Sequence, residues 1–155
     1  MPSQEKYRFA SSRIILIRNG KVLLGLRKNL RYASNQWMLP GGTTESNETV
    51  LDSLIRETQE ETGVFLYKDD LTFVSVAHWF NGNNKTSGLT LFWSTDKFNG
   101  NVENVEDDKC VKLDWFTKED IEKHRSKIEV TCLMALEQYF IQEKVGTYIE
   151  CEWAN

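Results

Sequence analysis

Apolar and polar positions alternate in short bursts through the first part of the chain. Residues 13–18 and 21–27 are two β-rich runs. The Asn19-Gly20 dipeptide between them suits a type I′ turn, so the pair predicts a hairpin. Residues 28–36 form a polar loop, and 37–39 a short strand ending at Pro40-Gly41-Gly42. From 47 to 62 the period changes. Leu51, Leu54, Ile55 and Thr58 recur at helical spacing, and Gly63 supplies the stop. Residues 71–80 and 89–94 read as strands separated by an Asn- and Gly-rich loop, 81–88. An acidic loop, 99–109, precedes a strand at 110–116, and Thr117-Lys118-Glu119-Asp120 predicts a capping box opening a short helix. Residues 128–142 predict a second long helix with Ile128, Cys132, Leu133, Leu136, Phe140 and Ile141 at its apolar positions. The tail, 147–155, carries no pattern that assigns an element. Strands and helices alternate without regular βαβ units, which predicts a mixed α/β layer fold.

The length of 155 residues suits a single domain spanning 1–155. With 40% hydrophobic and 27% charged residues, the chain is neither a disordered tail nor a fibrous repeat. Nineteen basic against 23 acidic residues give a net charge of −4, which argues against a nucleic acid polymer held on a broad basic face. No apolar run approaches the roughly 18 residues of a membrane span. The first thirteen residues lack the apolar centre of a signal peptide. A cytoplasmic protein without a membrane partner is expected. Cys110, Cys132 and Cys151 show no metal-ligand spacing and read as reduced thiols.

Chemistry concentrates in residues 41–64. On a helix, Glu57, Glu60 and Glu61 project from one sector, because they are three and four positions apart. The apolar set lies about a quarter turn away, so the carboxylates stand at the edge of the core. Two such charges ~5 Å apart repel by about 3 kcal/mol at an effective dielectric near 20. Arg56 relieves one of them. The others call for a cation, and all-oxygen ligation suits Mg²⁺, with Mn²⁺ as a substitute. Mg²⁺ prefers one or two carboxylates plus substrate phosphates, so a phosphate ligand is the natural third party. Helix spacing alone fits a solvated acidic helix end better than a metal site.

The longer spacing separates the two. Gly42, five residues, Glu48, seven residues, Arg56-Glu57, Thr58, Gln59, Glu60-Glu61, Thr62, Gly63 and Val64 resemble the Nudix box, G-x5-E-x7-R-E-U-x-E-E-x-G-U, where U is a bulky aliphatic residue. Every fixed position matches. Thr58 stands at one aliphatic position and keeps a β-branched shape, and Asn47 stands where the family often has Gly. The lead-in Leu23-Leu24-Gly25-Leu26-Arg27, then Trp37-Met38-Leu39-Pro40-Gly41-Gly42, and the later KLDWFTKEDI at 112–121 are also similar to the family.

The resemblance implies an α/β/α sandwich with a mixed sheet, a core of about 8–145, and a catalytic loop-helix-loop at 42–64. It implies Mg²⁺-dependent hydrolysis of a nucleoside diphosphate linked to another group. By position, Glu57, Glu61 and Glu60 are metal ligands, joined by the Gly42 carbonyl. Glu48 and Arg56 pair to hold the loop on the helix, and Glu57 and Glu60 are the candidate bases. The later loop supplies a further acid, with Asp108 chosen and Glu106 close to it. Arg27 is the candidate phosphate binder and Trp79 a candidate base-stacking residue. Markers of the ADP-ribose, dinucleoside polyphosphate and coenzyme A subfamilies are missing. The upstream run is similar to GDP-mannose mannosyl hydrolases, but the complete box and a later loop without histidine depart from them. The expectation is therefore a MutT-like triphosphatase releasing a nucleoside monophosphate and pyrophosphate. A nucleotide sugar or other diphosphate conjugate is the first alternative, and a non-catalytic nucleotide-binding module the second. The family also allows a homodimer.

Overall fold

Ile14, Ile15 and Leu16 are all fully buried, although successive side chains of a strand point to opposite faces. A strand with no exposed face belongs inside a sheet covered on both sides. The computed structural model describes residues 8–28 and 33–153. The N-terminal segment 1–7, residues 29–32 of the polar loop and the final two residues of the tail lie outside the described residues.

In chain order the elements are β1 (Arg8–Arg18), β2 (Lys21–Arg27), β3 (Trp37–Met38), β4 (Gly41–Thr43), α1 (Val50–Thr62), β5 (Thr72–Asn81), β6 (Thr86–Thr95), β7 (Cys110–Phe116), α2 (Lys118–Lys123), α3 (Val130–Leu136) and β8 (Thr147–Trp153). The strands follow the order β3-β2-β1-β6-β5-β8, with β4 joined to β1 and β7 to β2. The β1–β6 and β5–β8 pairs are parallel and the others antiparallel, so the sheet is mixed. Its two faces carry separate apolar clusters. Ile14, Leu16 and Leu23 pack with Leu54 of α1, Val64 and Leu66. Ile15, Val22, Leu24 and Phe92 pack with Ile121 of α2 and Cys132 and Leu136 of α3. This is the expected α/β/α arrangement.

The expected hairpin forms, with Asn19 and Gly20 both at positive φ (52° and 72°), as a type I′ turn requires. One edge of β1 serves two partners. Ser11 to Arg13 pair with β4, and Ile17 and Arg18 pair with β2. Between them the Ile14 N–H donates to the Pro40 carbonyl at 2.9 Å. The two partners diverge from that shared edge, and a cavity opens between them.

Several boundaries differ from the sequence expectation. Helix α1 begins at Val50, because the Thr49 hydroxyl caps it by accepting from the Asp52 N–H. The expected helix over 128–142 is shorter and composite. Ile128 is extended and bridges to Trp37. The buried Glu129 carboxylate accepts from the Thr131 and Cys132 N–H groups and starts α3, and a π turn at Glu137–Ile141 follows. The loop expected over 81–88 is mostly strand, and only 82–85 turn. The tail forms β8, beside β5. There Ile149 points inside while Glu150 and Glu152 point outside, the alternation of a half-buried strand. The capping box at Thr117 forms as expected, with Asp120 returning the bond.

Candidate active site

The Pro40-Gly41-Gly42 run is where backbone and carboxylates meet. Gly41 sits at φ +138°, and a Cβ there would stand 2.0 Å from the Ser12 carbonyl oxygen. Only glycine fits such a conformation and approach. A Cβ on Gly42 would stand 2.4 Å from the Glu57 carboxyl carbon. The two glycines therefore let β4 lie against β1 on one side and let Glu57 lie against β4 on the other.

Helix α1 presents its acids in two directions. Glu57 and Glu61 line a cavity of about 320 Å³ together with Arg13, Gly25, Arg27, Gly42, Glu106 and Lys109. That volume is at the small end of ligand sites. The Gly41 N–H donates to Glu61 Oε2 at 2.9 Å. Burial pushes the Glu61 carboxyl up to about 7, opposed by the Arg13 guanidinium and the Gly41 N–H and reinforced by the charges of Glu57 and Glu106. Burial also raises Glu57, against the pull of Arg56 and with the push of Glu60 and Glu106.

Arg56 faces outward from this cavity and gathers the remaining acids. Its Nε and Nη2 donate to the two oxygens of Glu48 at 3.0 and 2.7 Å, a fork-on-fork pair. Its Nη1 donates to Glu57 at 3.0 Å and to Glu60 at 3.2 Å. The Arg56 bonds, with the Glu45 N–H, hold the Glu48 carboxyl down to about 2. Glu48 thus ties the loop before α1 to the helix, as the resemblance implied. Glu60 is half exposed, engaged by Arg56, and does not line the cavity.

The acidic loop completes the wall. Its Glu103 and Val105 N–H groups donate to the Thr62 and Glu61 carbonyls at 2.9 and 3.2 Å, satisfying the end of α1. A turn follows, in which the Lys109 and Cys110 N–H groups both donate to the Glu106 carbonyl at 3.0 Å. Glu106 opens that turn on the cavity side, and Asp107 and Asp108 are exposed. Glu106, not Asp108, therefore shares the cavity with Glu57 and Glu61.

Of the residues singled out from sequence, Gly42, Glu57, Glu61 and Arg27 come together here, while Glu48, Arg56 and Glu60 form the adjoining network. Trp79, on β5 opposite Gly88 and Cys151, does not line the cavity. Arg13 went unnoticed in the sequence. It donates from Nη1 to the Leu39 and Gly41 carbonyls at 3.1 and 2.8 Å. A charged residue opening the run RIILI, on a strand buried on both faces, was the available signal.

Among the described residues no three His, Cys, Asp or Glu side chains are gathered closely enough to grip a metal by themselves. The cavity nevertheless gathers three carboxylates, Glu57, Glu61 and Glu106, with a glycine backbone, while the Cys110 thiol that also lines it is kept protonated by burial. That donor set suits Mg²⁺ or Mn²⁺, which keeps water and substrate phosphates among its ligands. Among the described residues no helix is long and apolar enough to cross a membrane.

A family model described as the NUDIX domain matches residues 8–134. The chain is 36% identical over 109 residues to the uncharacterised Nudix hydrolase YvcI of Bacillus subtilis (strain 168), covering 70% of this chain and 65% of that one. It is 28% identical over 114 residues to a MutT-like protein of Streptomyces ambofaciens, covering 74% and 67%. The chain thus spans about two thirds of the length of these relatives. Its fold resembles the crystal structure of a MutT Nudix hydrolase from Burkholderia pseudomallei, with a TM-score of 0.76 and 26% identity over 85% of this chain and 98% of that chain.

Proposed function

The chain belongs to the Nudix hydrolase family, and from that premise we propose that it hydrolyses a nucleoside diphosphate linked to another group, foremost a nucleoside triphosphate to the monophosphate and pyrophosphate. One observation carries the reading: Glu57, Glu61 and Glu106 line the same small cavity as Arg13 and Arg27. Glu57, Glu61, Glu106 and the Gly42 carbonyl are the groups that would hold Mg²⁺, with Mn²⁺ as a substitute. When bound, such an ion neutralises phosphate oxygens and lowers the pKa of a water.

The residues of the chain supply the rest. Arg27 binds phosphate oxygens as they gain charge. Arg13 fixes the Leu39–Gly41 backbone, and the Gly41 N–H in turn fixes Glu61. Glu57 takes the proton from the attacking water. It faces the cavity, and burial raises its basicity. Glu60 is turned to Arg56 and is the weaker candidate. The water oxygen bonds to phosphorus as the anhydride P–O bond breaks, and the departing phosphate carries the electron pair away.

A diphosphate conjugate such as a nucleotide sugar is the second reading. Among the described residues the cavity wall carries Met38, Leu39, Pro40 and Leu113 beside the charged groups, an apolar stretch against which the second group of a conjugate can pack. Product identification separates the two. The panel holds normal and oxidised triphosphates, nucleotide sugars, ADP-ribose and dinucleoside polyphosphates, each with Mg²⁺ and with EDTA. Metal-dependent monophosphate plus pyrophosphate supports the first reading, and turnover confined to a conjugate supports the second. No turnover on any of them would defeat both in favour of a binding module.

A further inference from the structure

Lys109 is a wall residue that the proposed chemistry leaves without a task. Its Nζ donates to Glu106 Oε1 at 3.0 Å, and both side chains line the cavity. The Glu106 side chain is 24% exposed and that of Lys109 54%. Lys109 also feels the charges of Asp108 and Glu57. Its backbone is held, because the Lys28 N–H donates to the Lys109 carbonyl at 3.0 Å and the Lys109 N–H donates to the Glu106 carbonyl. The ammonium is therefore carried on a long flexible stem from a fixed backbone point in the cavity wall. Three carboxylates face this cavity, and Glu106 is the one paired with a flexible lysine. Glu57 is bonded by Arg56 and Glu61 by the Gly41 N–H.

We infer that Lys109 is a placeholder cation. It pairs with Glu106 while the metal is absent and yields that carboxylate when the metal arrives. The released ammonium then takes an oxygen of the substrate's phosphate. The inference rests on the metal-dependent reading above. A half-exposed lysine–carboxylate pair is weak, so the exchange is easy. A lysine is a mobile point charge, able to serve either partner.

The two roles give effects of opposite sign. Mn²⁺ binding is measured directly, without nucleotide, by electron paramagnetic resonance of the free ion, on wild type, K109M, K109R, E106Q and E57Q. Removing the competitor in K109M should tighten Mn²⁺ binding roughly threefold to fivefold. E106Q and E57Q should weaken it, and K109R should stay near wild type. With substrate and saturating Mg²⁺, K109M should raise KM about tenfold and change kcat less, and K109R should restore KM. A lysine that only braces its loop would leave Mn²⁺ affinity unchanged or lower it in K109M, and that result overturns the exchange. An unchanged KM in K109M overturns its phosphate half. If wild type binds Mn²⁺ and E57Q does not, either failure belongs to Lys109 alone. If wild type binds no Mn²⁺, the metal reading itself fails and takes this inference with it.

Discussion

Thr58 is fully buried in the face of α1 that packs on the sheet, and its hydroxyl finds no hydrogen-bond partner among the described residues. An orphaned hydroxyl of that kind costs about 1–3 kcal/mol. Thr58→Val keeps the branched shape and removes the orphan. Chemical denaturation should show the variant more stable by about 1 kcal/mol, with turnover retained. Glu61 strains stability in another way. Its folded pKa, about 7, lies above the ordinary carboxylate value of 4.5, so the folded form binds the extra proton. Between those two values the metal-free protein should lose stability as pH rises, since unfolding there releases a proton. Glu61→Gln should flatten that part of the melting-temperature profile and raise the melting temperature at pH 8. The same change should cut turnover by roughly a hundredfold or more, in keeping with the usual conflict between a strained site and a stable fold. A Glu61→Gln protein no more stable than wild type at pH 8 would show that burial does not penalise this charge.

Strand β4 shows how neighbouring glycines carry different duties. At Gly41 an added Cβ meets backbone, and at Gly42 it meets the end of a side chain. Gly41→Ala should therefore break the β4–β1 pairing and lose roughly 3 kcal/mol or more, measured as a lowered denaturation midpoint. Gly42→Ala should keep a cooperative melt but displace Glu57, lowering turnover at least about tenfold. Equal damage to stability from both changes would contradict this division. Local signals of this grade explain what was legible from sequence. Asn19-Gly20 fixed the hairpin, Gly63 the end of α1, and Thr117 with Asp120 the start of α2. Glu57 and Glu61 followed from helical spacing and motif alone. Arg13 and the choice of Glu106 over Asp108 did not, because each depends on partners distant in the chain. Arg13 meets the carbonyls of residues 39 and 41, and Glu106 is aimed by bonds to the end of α1. The late start of α3 was equally hidden, since Ile128 bridges to the distant Trp37 and leaves Glu129 to cap the helix.

At the scale of the molecule, β8 lies beyond the residues that match the family model, yet it covers one side of β5 along seven residue pairs. Ile149 is buried in the same cluster as Phe92 and Leu136. Ending the chain at Gly146 would remove that side chain and bare a strand edge, a known route to aggregation. The truncated protein should lose roughly 3–5 kcal/mol and show high-mass species by size-exclusion chromatography. A monomeric truncation with unchanged stability would reduce β8 to an ornament. The amides of Glu103 and Val105 close the last carbonyls of α1, so the acidic loop and the end of α1 should open together. In hydrogen-exchange measurements those two amides should be protected in step with the final turn of α1. An ion held between Glu57 and Glu61 of the helix and Glu106 of the loop should then slow exchange at those two amides, making them reporters of site occupancy.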